Sequence, residues 1–239
     1  KKKITVIIIT SDKSYKNLEI KRGYKENDLI GGIDPYGASK SSAEIAIQSY
    51  VKSFFISKNK KVSIAVARAG NVIGGGDWSE DRLVPDCVKS WSKNKKVIIR
   101  NPNSTRPWQH VLEALSGYLT LAVKLKKNKK KFHGQAFNFG PSTTSSFKVK
   151  EVIKEMKKNW NLVNWKEIKN KKTFFENNLL KLNSKKAKSY LNWSSKLKFN
   201  ETIFLTTEWY KNYYSKKFKP IQNSLSQIKF YEKILVNRK

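Results

Sequence analysis

Ile4-Thr-Val-Ile-Ile-Ile-Thr-Ser-Asp-Lys13, with Tyr36-Gly-Ala-Ser-Lys40 downstream, is the stretch that decides the fold. The apolar run Ile4 to Ile9 reads as a buried strand, and Thr10 to Lys13 fall at its C-terminal end. In open α/β sheets that end faces the ligand crevice. Tyr36 and Lys40 stand four apart at the start of a helical pattern, so they share one face. A free phenol is a poor base at neutral pH, and an ammonium on the same face stabilises its phenolate. A hydroxyl (Ser11), a phenol (Tyr36) and a cation (Lys40) around one crevice suit proton removal from a sugar or alcohol hydroxyl during hydride transfer. Taken alone, a Tyr and a Lys at this spacing are more often a solvated helix pair. The strand-end Ser-Asp is what gives them weight.

Outward from this stretch, strand and helix signals alternate. Residues 14–35 read as a polar loop long enough to be functional. The spacing predicts a helix from Tyr36 to about Phe55, with Ala43, Ile47, Tyr50, Val51 and Phe54 on its apolar face. Val62–Ala67 is the next strand, and Arg68 to Trp78 is the loop beyond it. A short helix from Arg82 to Trp91 follows, then short extended pieces at Val97–Arg100 and Trp108–Val111. Leu112 to Leu125 is a strongly amphipathic helix, and Ala136–Phe139 is a strand stopped by Gly140-Pro141. Further helices are predicted at Lys148–Trp160, Leu182–Leu191 and, last, 203–214. The basic clusters at 126–131 and 168–172 read as solvated turns. The alternation argues for a parallel α/β sheet. Residues 1–76 and 105–141 would form it, and 77–104 and 142–239 would form a second, smaller lobe over the crevice.

The 239 residues are enough for a substantial core, and the formal net charge is +32. Only six of the 50 basic residues are arginine (22, 68, 82, 100, 106 and 238). A nucleic-acid reader leans on arginine for bidentate contacts, so the scattered lysines argue for weak, salt-sensitive polyanion affinity rather than specific nucleic-acid recognition. No apolar run approaches the ~20 residues of a membrane span. The single Cys87 excludes an internal disulfide and fits a reducing cytoplasm. Two histidines, 110 and 133, and no clustered cysteine argue against a metal site.

Several runs carry a family resemblance. They are Thr10-Ser-Asp-Lys-Ser-Tyr15, Asp34-Pro-Tyr-Gly-Ala-Ser-Lys40, Arg68-Ala-Gly-Asn-Val-Ile-Gly-Gly-Gly-Asp-Trp78, Asp81-Arg-Leu-Val-Pro-Asp86, Ile99-Arg-Asn-Pro102, Thr105-Arg-Pro-Trp-Gln-His-Val111 and Phe137-Asn-Phe-Gly-Pro141. With them the chain resembles the extended short-chain dehydrogenases/reductases, and within these the nucleotide-sugar 4,6-dehydratases. The resemblance spans nearly the whole chain and thins after about residue 145.

The resemblance implies a Rossmann-like fold, NAD as cofactor, and CDP-glucose as the nucleotide-sugar substrate. It implies that Tyr36 takes the proton of the sugar 4-hydroxyl, and that Lys40 favours the phenolate and binds the nicotinamide ribose. Ser11 would hydrogen-bond the 4-oxygen, and Asp12 would protonate the departing 6-hydroxyl. Where the dTDP-sugar members carry a glutamate base, this chain has Lys13, a pattern of the CDP-sugar members. A charged lysine cannot accept a proton, so the C5 base stays open. Asn71 and Arg106 would bind the pyrophosphate, with Asp77, Arg82 and Asn138 toward the nucleotide or sugar and Arg68 toward the cofactor. The family also implies a homo-oligomer paired through the Tyr36-bearing helix.

Bland readings stand beside these roles. Asp12 as a turn cap, Arg68 or Arg82 as surface ion pairs, Trp78 as a packing anchor, Asn138 as a turn cap, His110 as a satisfied structural histidine and Cys87 as core all fit the sequence. One departure from the family is plain. Its Gly-rich phosphate turn is absent, since Gly74-Gly75-Gly76 lacks the Gly-x-Gly-x-x-Gly spacing. The expectation is therefore the C-terminal part of such an enzyme, with roughly 100 residues of βαβ structure ahead of it and no turnover alone. Two rivals remain open: another dehydratase or an epimerase on the same scaffold, and a catalytically dead basic binding protein.

Overall fold

The computed structural model describes residues 2–55, 61–141, 147–167 and 179–238. In chain order the first elements are β1 (Ile4–Ser11), α1 (Pro35–Tyr50), β2 (Val62–Ala69), β3 (Val72–Ile73), α2 (Leu83–Trp91), β4 (Val97–Ile99), β5 (Thr105–Arg106) and β6 (Gln109–His110). They are followed by α3 (Val111–Lys127), α4 (Lys129–Phe132), β7 (Ala136–Phe139), β8 (Phe147–Lys148), α5 (Val149–Asn159), β9 (Trp165–Glu167), α6 (Lys185–Leu191), α7 (Phe199–Tyr214) and α8 (Pro220–Asn237).

β1, β2 and β7 form a parallel sheet in that order. This is the Rossmann-like α/β arrangement the alternation predicts. Side chains alternate across a strand. Ala65 and Ala67 of β2 therefore pack with Phe137, Phe139 and the α3 residues Leu121 and Leu125 on one face. Arg68 points to the other face, toward α1. β2 is buried almost throughout. β1 is not: Ile4 and Ile9 are 53% and 58% exposed. The expected buried strand is the edge of the described sheet, because among the described residues β1 pairs with β2 alone.

A second core lies beside the sheet. It joins Val84, Cys87, Val88 and Trp91 of α2 to Val152, Ile153 and Met156 of α5, and to Ile203, Trp209 and Tyr210 of α7. Short parallel β4–β9 and antiparallel β5–β8 pairs frame it. Cys87 is core, as read. The tract after 142 serves both cores, since Ala187, Leu191 and Trp193 pack with the sheet's cluster.

Two helices differ from their predicted orientation or existence. α1 buries Gly37, Ser41 and Glu44, while of its predicted apolar face Ala43 and Tyr50 are exposed and Ile47 is half-buried. In the π-helical turn Val51–Phe55 that continues it, Val51 is buried as predicted and Phe54 is exposed. Hydrogen bonding, not apolar contact, selects that face. Ser41 donates to the Ser14 carbonyl at 3.0 Å, and Glu44 accepts from Arg68. α8 is the last helix, beyond the predicted one at 203–214. It docks through Gln227 Nε2 on the Leu205 carbonyl (2.7 Å), Asn223 Nδ2 on the Trp209 carbonyl (3.1 Å) and the Tyr231 hydroxyl on Glu113 (2.8 Å). The basic run at 126–131 is not a turn. It spans the end of α3 and the start of α4, with Asn128 capping α4. The cluster at 168–172 lies outside the described residues.

Candidate active site

The C-terminal end of β1 turns directly into a single 3-10 turn, Asp12–Ser14, whose N-cap is Ser11. The Ser11 hydroxyl accepts from the Lys13 amide at 3.2 Å and donates to Asp12 Oδ1 at 3.0 Å. Asp12 is buried, and its other oxygen, Oδ2, has no partner among the described residues. A carboxylate in that position loses hydration without full replacement. Burial accordingly pushes the Asp12 pKa up to about 6, against the lowering influence of Ser11, Lys13 and Arg106. Gly70 makes the arrangement possible, because a Cβ there would collide with the Asp12 carboxyl.

α1 starts where the resemblance needs it. Asp34 caps it by accepting from the Gly37 amide at 2.9 Å, and Pro35 occupies the first helical position, both favourable start signals. Tyr36 is then presented in the first turn, about half exposed, with the Lys40 ammonium 5.4 Å from its ring centroid. The pair is therefore a cation over an aromatic face at the mouth of the crevice.

A cavity of about 870 Å³ opens over this end of the sheet. Ser11, Asp12, Lys13, Tyr36, Asn71, Asp77, Arg82 and Arg106 all line it. Eight of the candidate residues, drawn from five separate stretches of chain, thus meet in one space. Asn71 holds a left-handed φ of 42° just beyond β2, and its carbonyl accepts from the Gln109 amide at 3.3 Å. Gln109 Nε2 also donates to the Gly70 and Phe139 carbonyls at 3.2 and 2.8 Å. That clamp ties the loop under Asp12 to the end of β7. Arg106 is buried on β5, and its guanidinium donates to the Thr105 carbonyl at 2.8 Å.

Of the other three candidates, Lys40 stands against the Tyr36 ring outside the lining, and two lie elsewhere. Arg68 is buried in a bidentate pair with Glu44 (2.8 and 3.0 Å) and also donates to the Tyr15 hydroxyl at 2.7 Å. Asn138 is fully buried, accepting from Tyr15 at 2.8 Å and donating to the Tyr24 carbonyl at 2.8 Å. Neither lines the cavity. Both anchor the 15–34 loop to the sheet through these bonds. Trp78 is an anchor too, packed against Trp209, Tyr210, Tyr213 and Tyr214. His110 caps α3 through Nδ1 (3.3 Å from the Leu112 amide), but its Nε2 is buried without a partner. Burial holds its pKa down at about 4.

Sequence reasoning passed over a whole wall of the cavity. Residues 83–87 of α2 and 97–101 at and beyond β4 line it, with Asp86 and Arg100 among them. The sole signal was their place inside the family-like runs, because neither has a spacing that announces a site.

A parallel sheet carrying a Ser-Asp turn at one strand end and a Tyr/Lys pair on the next helix is a Rossmann-like α/β arrangement. The chain belongs to the GDP-mannose 4,6 dehydratase family, whose profile matches residues 1–206. It is 42% identical over 210 residues to CDP-glucose 4,6-dehydratase of Salmonella typhimurium, covering 86% of this chain and 58% of that protein. It is 25% identical over 212 residues to human dTDP-D-glucose 4,6-dehydratase, covering 86% of this chain and 56% of that protein. Among solved structures it is similar to dTDP-glucose 4,6-dehydratase from Bacillus anthracis in complex with NAD. There the TM-score is 0.72 at 20% identity, covering 87% of this chain and 62% of that one. The chain thus spans a little under two thirds of the length of these relatives.

Proposed function

We propose that this chain forms the substrate-facing part of a CDP-glucose 4,6-dehydratase. Such an enzyme removes water from CDP-glucose to give a CDP-linked 4-keto-6-deoxyglucose for deoxysugar synthesis. The observation that carries the reading is the convergence of Ser11, Asp12, Tyr36 and Arg106 on one cavity, together with the 42% identity to the Salmonella enzyme. We place the protein in the cytoplasm on its single, buried Cys87. No helix among the described residues is long and apolar enough to cross a membrane.

The half-exposed Tyr36 with Lys40 against its ring, beside the open end of the sheet, suits a nicotinamide riboside. Tyr36 and Lys40 are the residues that would hold this end of NAD. The chain contains no Gly-x-Gly-x-x-Gly run for the pyrophosphate. When bound, NAD supplies hydride acceptance and return, which makes the overall reaction redox-neutral. Tyr36 takes the proton of the 4-hydroxyl, with the Lys40 cation favouring the phenolate. Asp12 delivers a proton to the departing 6-hydroxyl. A carboxyl with a pKa of about 6 keeps about a tenth of its protons at pH 7, far more than an ordinary aspartate. A proton on Asp12 Oδ1 would also reverse its bond with Ser11. The serine hydrogen is then free for the sugar oxygen. Arg106 and Asn71 orient the pyrophosphate, a guanidinium being suited to bidentate phosphate contacts. Lys13 adds positive charge near Asp12, and the C5 base is left unassigned. The apolar outer face of α1 and the turn that follows it, with Ile45, Tyr50 and Phe54 exposed, suits pairing with a second copy.

The test is incubation with NAD and, separately, CDP-glucose, dTDP-glucose and GDP-mannose, with mass spectrometry for a product lighter by one water. The chain is used alone and fused behind the N-terminal part of the Salmonella relative. Water loss confined to CDP-glucose in the fused protein is the expected result, abolished by Tyr36→Phe. Water loss from dTDP-glucose or GDP-mannose in preference would sink the substrate assignment.

A further inference from the structure

We infer that Asp86 selects the base of the nucleotide, its carboxylate accepting a hydrogen bond from the exocyclic amine of cytosine. The inference rests on the nucleotide-sugar reading above and names the group that sets its base preference. Asp86 sits in the first turn of α2 and lines the same cavity as Ser11 and Asp12. Its neighbours on that wall are apolar: Leu83, Val84 and Pro85 on α2, and Val97, Ile98 and Ile99 on β4. This wall belongs to the second lobe and its separate core, away from the strand-end chemistry of Ser11 to Lys13. Arg82, Arg100 and Asn101 also line this part of the cavity, so Asp86 is its acid in a mostly apolar wall. An apolar slot with a few placed polar groups is the usual form of a site that holds a flat ring and fixes its orientation.

Asp86 is half-buried, and its carboxylate makes no hydrogen bond or ion pair among the described residues. The other acids on the cavity differ. Asp77 accepts from the Ser79 amide at 3.0 Å, and Asp12 is held by Ser11. Asp81 is exposed and holds a left-handed φ of 59°. A partly desolvated acceptor without a donor favours a ligand that brings one. Cytosine carries an amine where uracil and thymine carry a carbonyl oxygen, and Asp and Glu are its usual readers there. A carboxylate facing that carbonyl would repel it, so one side chain both attracts the cytidine nucleotide and rejects the uridine and thymidine ones. Its place in a helix's first turn, where acids are favoured by the dipole, is the structural alternative to this role.

Calorimetric titration of the chain with CDP, UDP and GDP decides between them. The wild-type chain should bind CDP at least about tenfold more tightly than UDP, the size expected for one buried polar contact. Asp86→Asn presents an amide N–H to the uracil oxygen, so the CDP:UDP ratio should fall to one or below. Asp81→Asn, which suits a left-handed φ, should leave it unchanged. Binding with no CDP preference in the wild type, a preference for GDP, or an unchanged ratio in Asp86→Asn would overturn the assignment while leaving the nucleotide-sugar reading intact. A lowered melting temperature with that unchanged ratio would mark Asp86 as a helix stabiliser. No binding of any of the three nucleotides would instead bring down the nucleotide-sugar reading itself, and this inference with it.

Discussion

At the scale of single residues, Asp12 is the strained group. It pairs with Ser11 through one oxygen and leaves the other buried and unpartnered. Its pKa is raised from 3.8 to about 6, so between those values the folded state holds more protons than the unfolded state. Stability from this group is therefore greatest below pH 4 and is lost as pH rises through 6, by about 3 kcal/mol in all. Asp12→Asn lacks that dependence. Urea unfolding of both proteins at pH 4 and pH 7 should show the wild type losing about 2 kcal/mol relative to the variant over that interval; equal differences at the two pH values would refute the buried acid. His110 works in the opposite sense. Its pKa falls from 6.5 to about 4, so its stability is present above pH 6.5 and lost as pH falls toward 4. Only comparison with the variant separates the two. None of this was legible in the sequence. Ser11-Asp12 marked the place, but the burial comes from Gly70, across the sheet, whose missing side chain leaves room for the carboxyl.

At the scale of elements, α1 carries the lesson. Of the face its apolar periodicity pointed to, Val51 just beyond it is buried and Ile47 half-buried, but Ala43 and Tyr50 are exposed. The buried face centres instead on Glu44 and Ser41, which have partners on the sheet side. Glu44 receives two bonds from Arg68 and one from Thr10. Glu44→Ala would leave a buried guanidinium without its counter-charge and should cost about 3–5 kcal/mol in unfolding experiments. Glu44→Leu with Arg68→Met should recover much of that loss, and failure to do so would mean the pair does more than satisfy itself. The three glycines before Asp77 lack the spacing of a phosphate turn. Gly75 has no room for a Cβ, because Trp209 of α7 lies against its backbone. Gly75→Ala should push the indole out, lowering stability by about 1–3 kcal/mol and altering tryptophan fluorescence. An unchanged spectrum and melting temperature would show that α7 yields freely there.

At the scale of the whole molecule, the second core, through Ile73, Val84, Cys87, Ile99 and Trp108, forms part of the cavity wall, and the chain carries a formal net charge of +32. Lysine-rich surfaces bind polyanions through counterion release, without reading sequence. The chain should be retained on heparin at low ionic strength and elute as salt rises, with no preference among duplex DNA sequences. A preferred sequence would revive the nucleic-acid-binding alternative.

The strand-helix alternation, the Ser-Asp and Tyr/Lys pairs and the Arg-Pro-Trp run were determined by the sequence itself. Each depends on local spacing, which a linear chain displays directly. That is why the β1–β2–β7 sheet, most helices and eight cavity-lining candidates were legible in it. The tertiary structure alone decided which helix faces are buried, that α8 docks through Asn223, Gln227 and Tyr231, and that Arg68 and Asn138 tie the 15–34 loop to the sheet. The physical reason is common to all three. A polar side chain is buried where a distant partner completes its hydrogen bonds, and the partner's position is a property of the folded chain rather than of neighbouring residues.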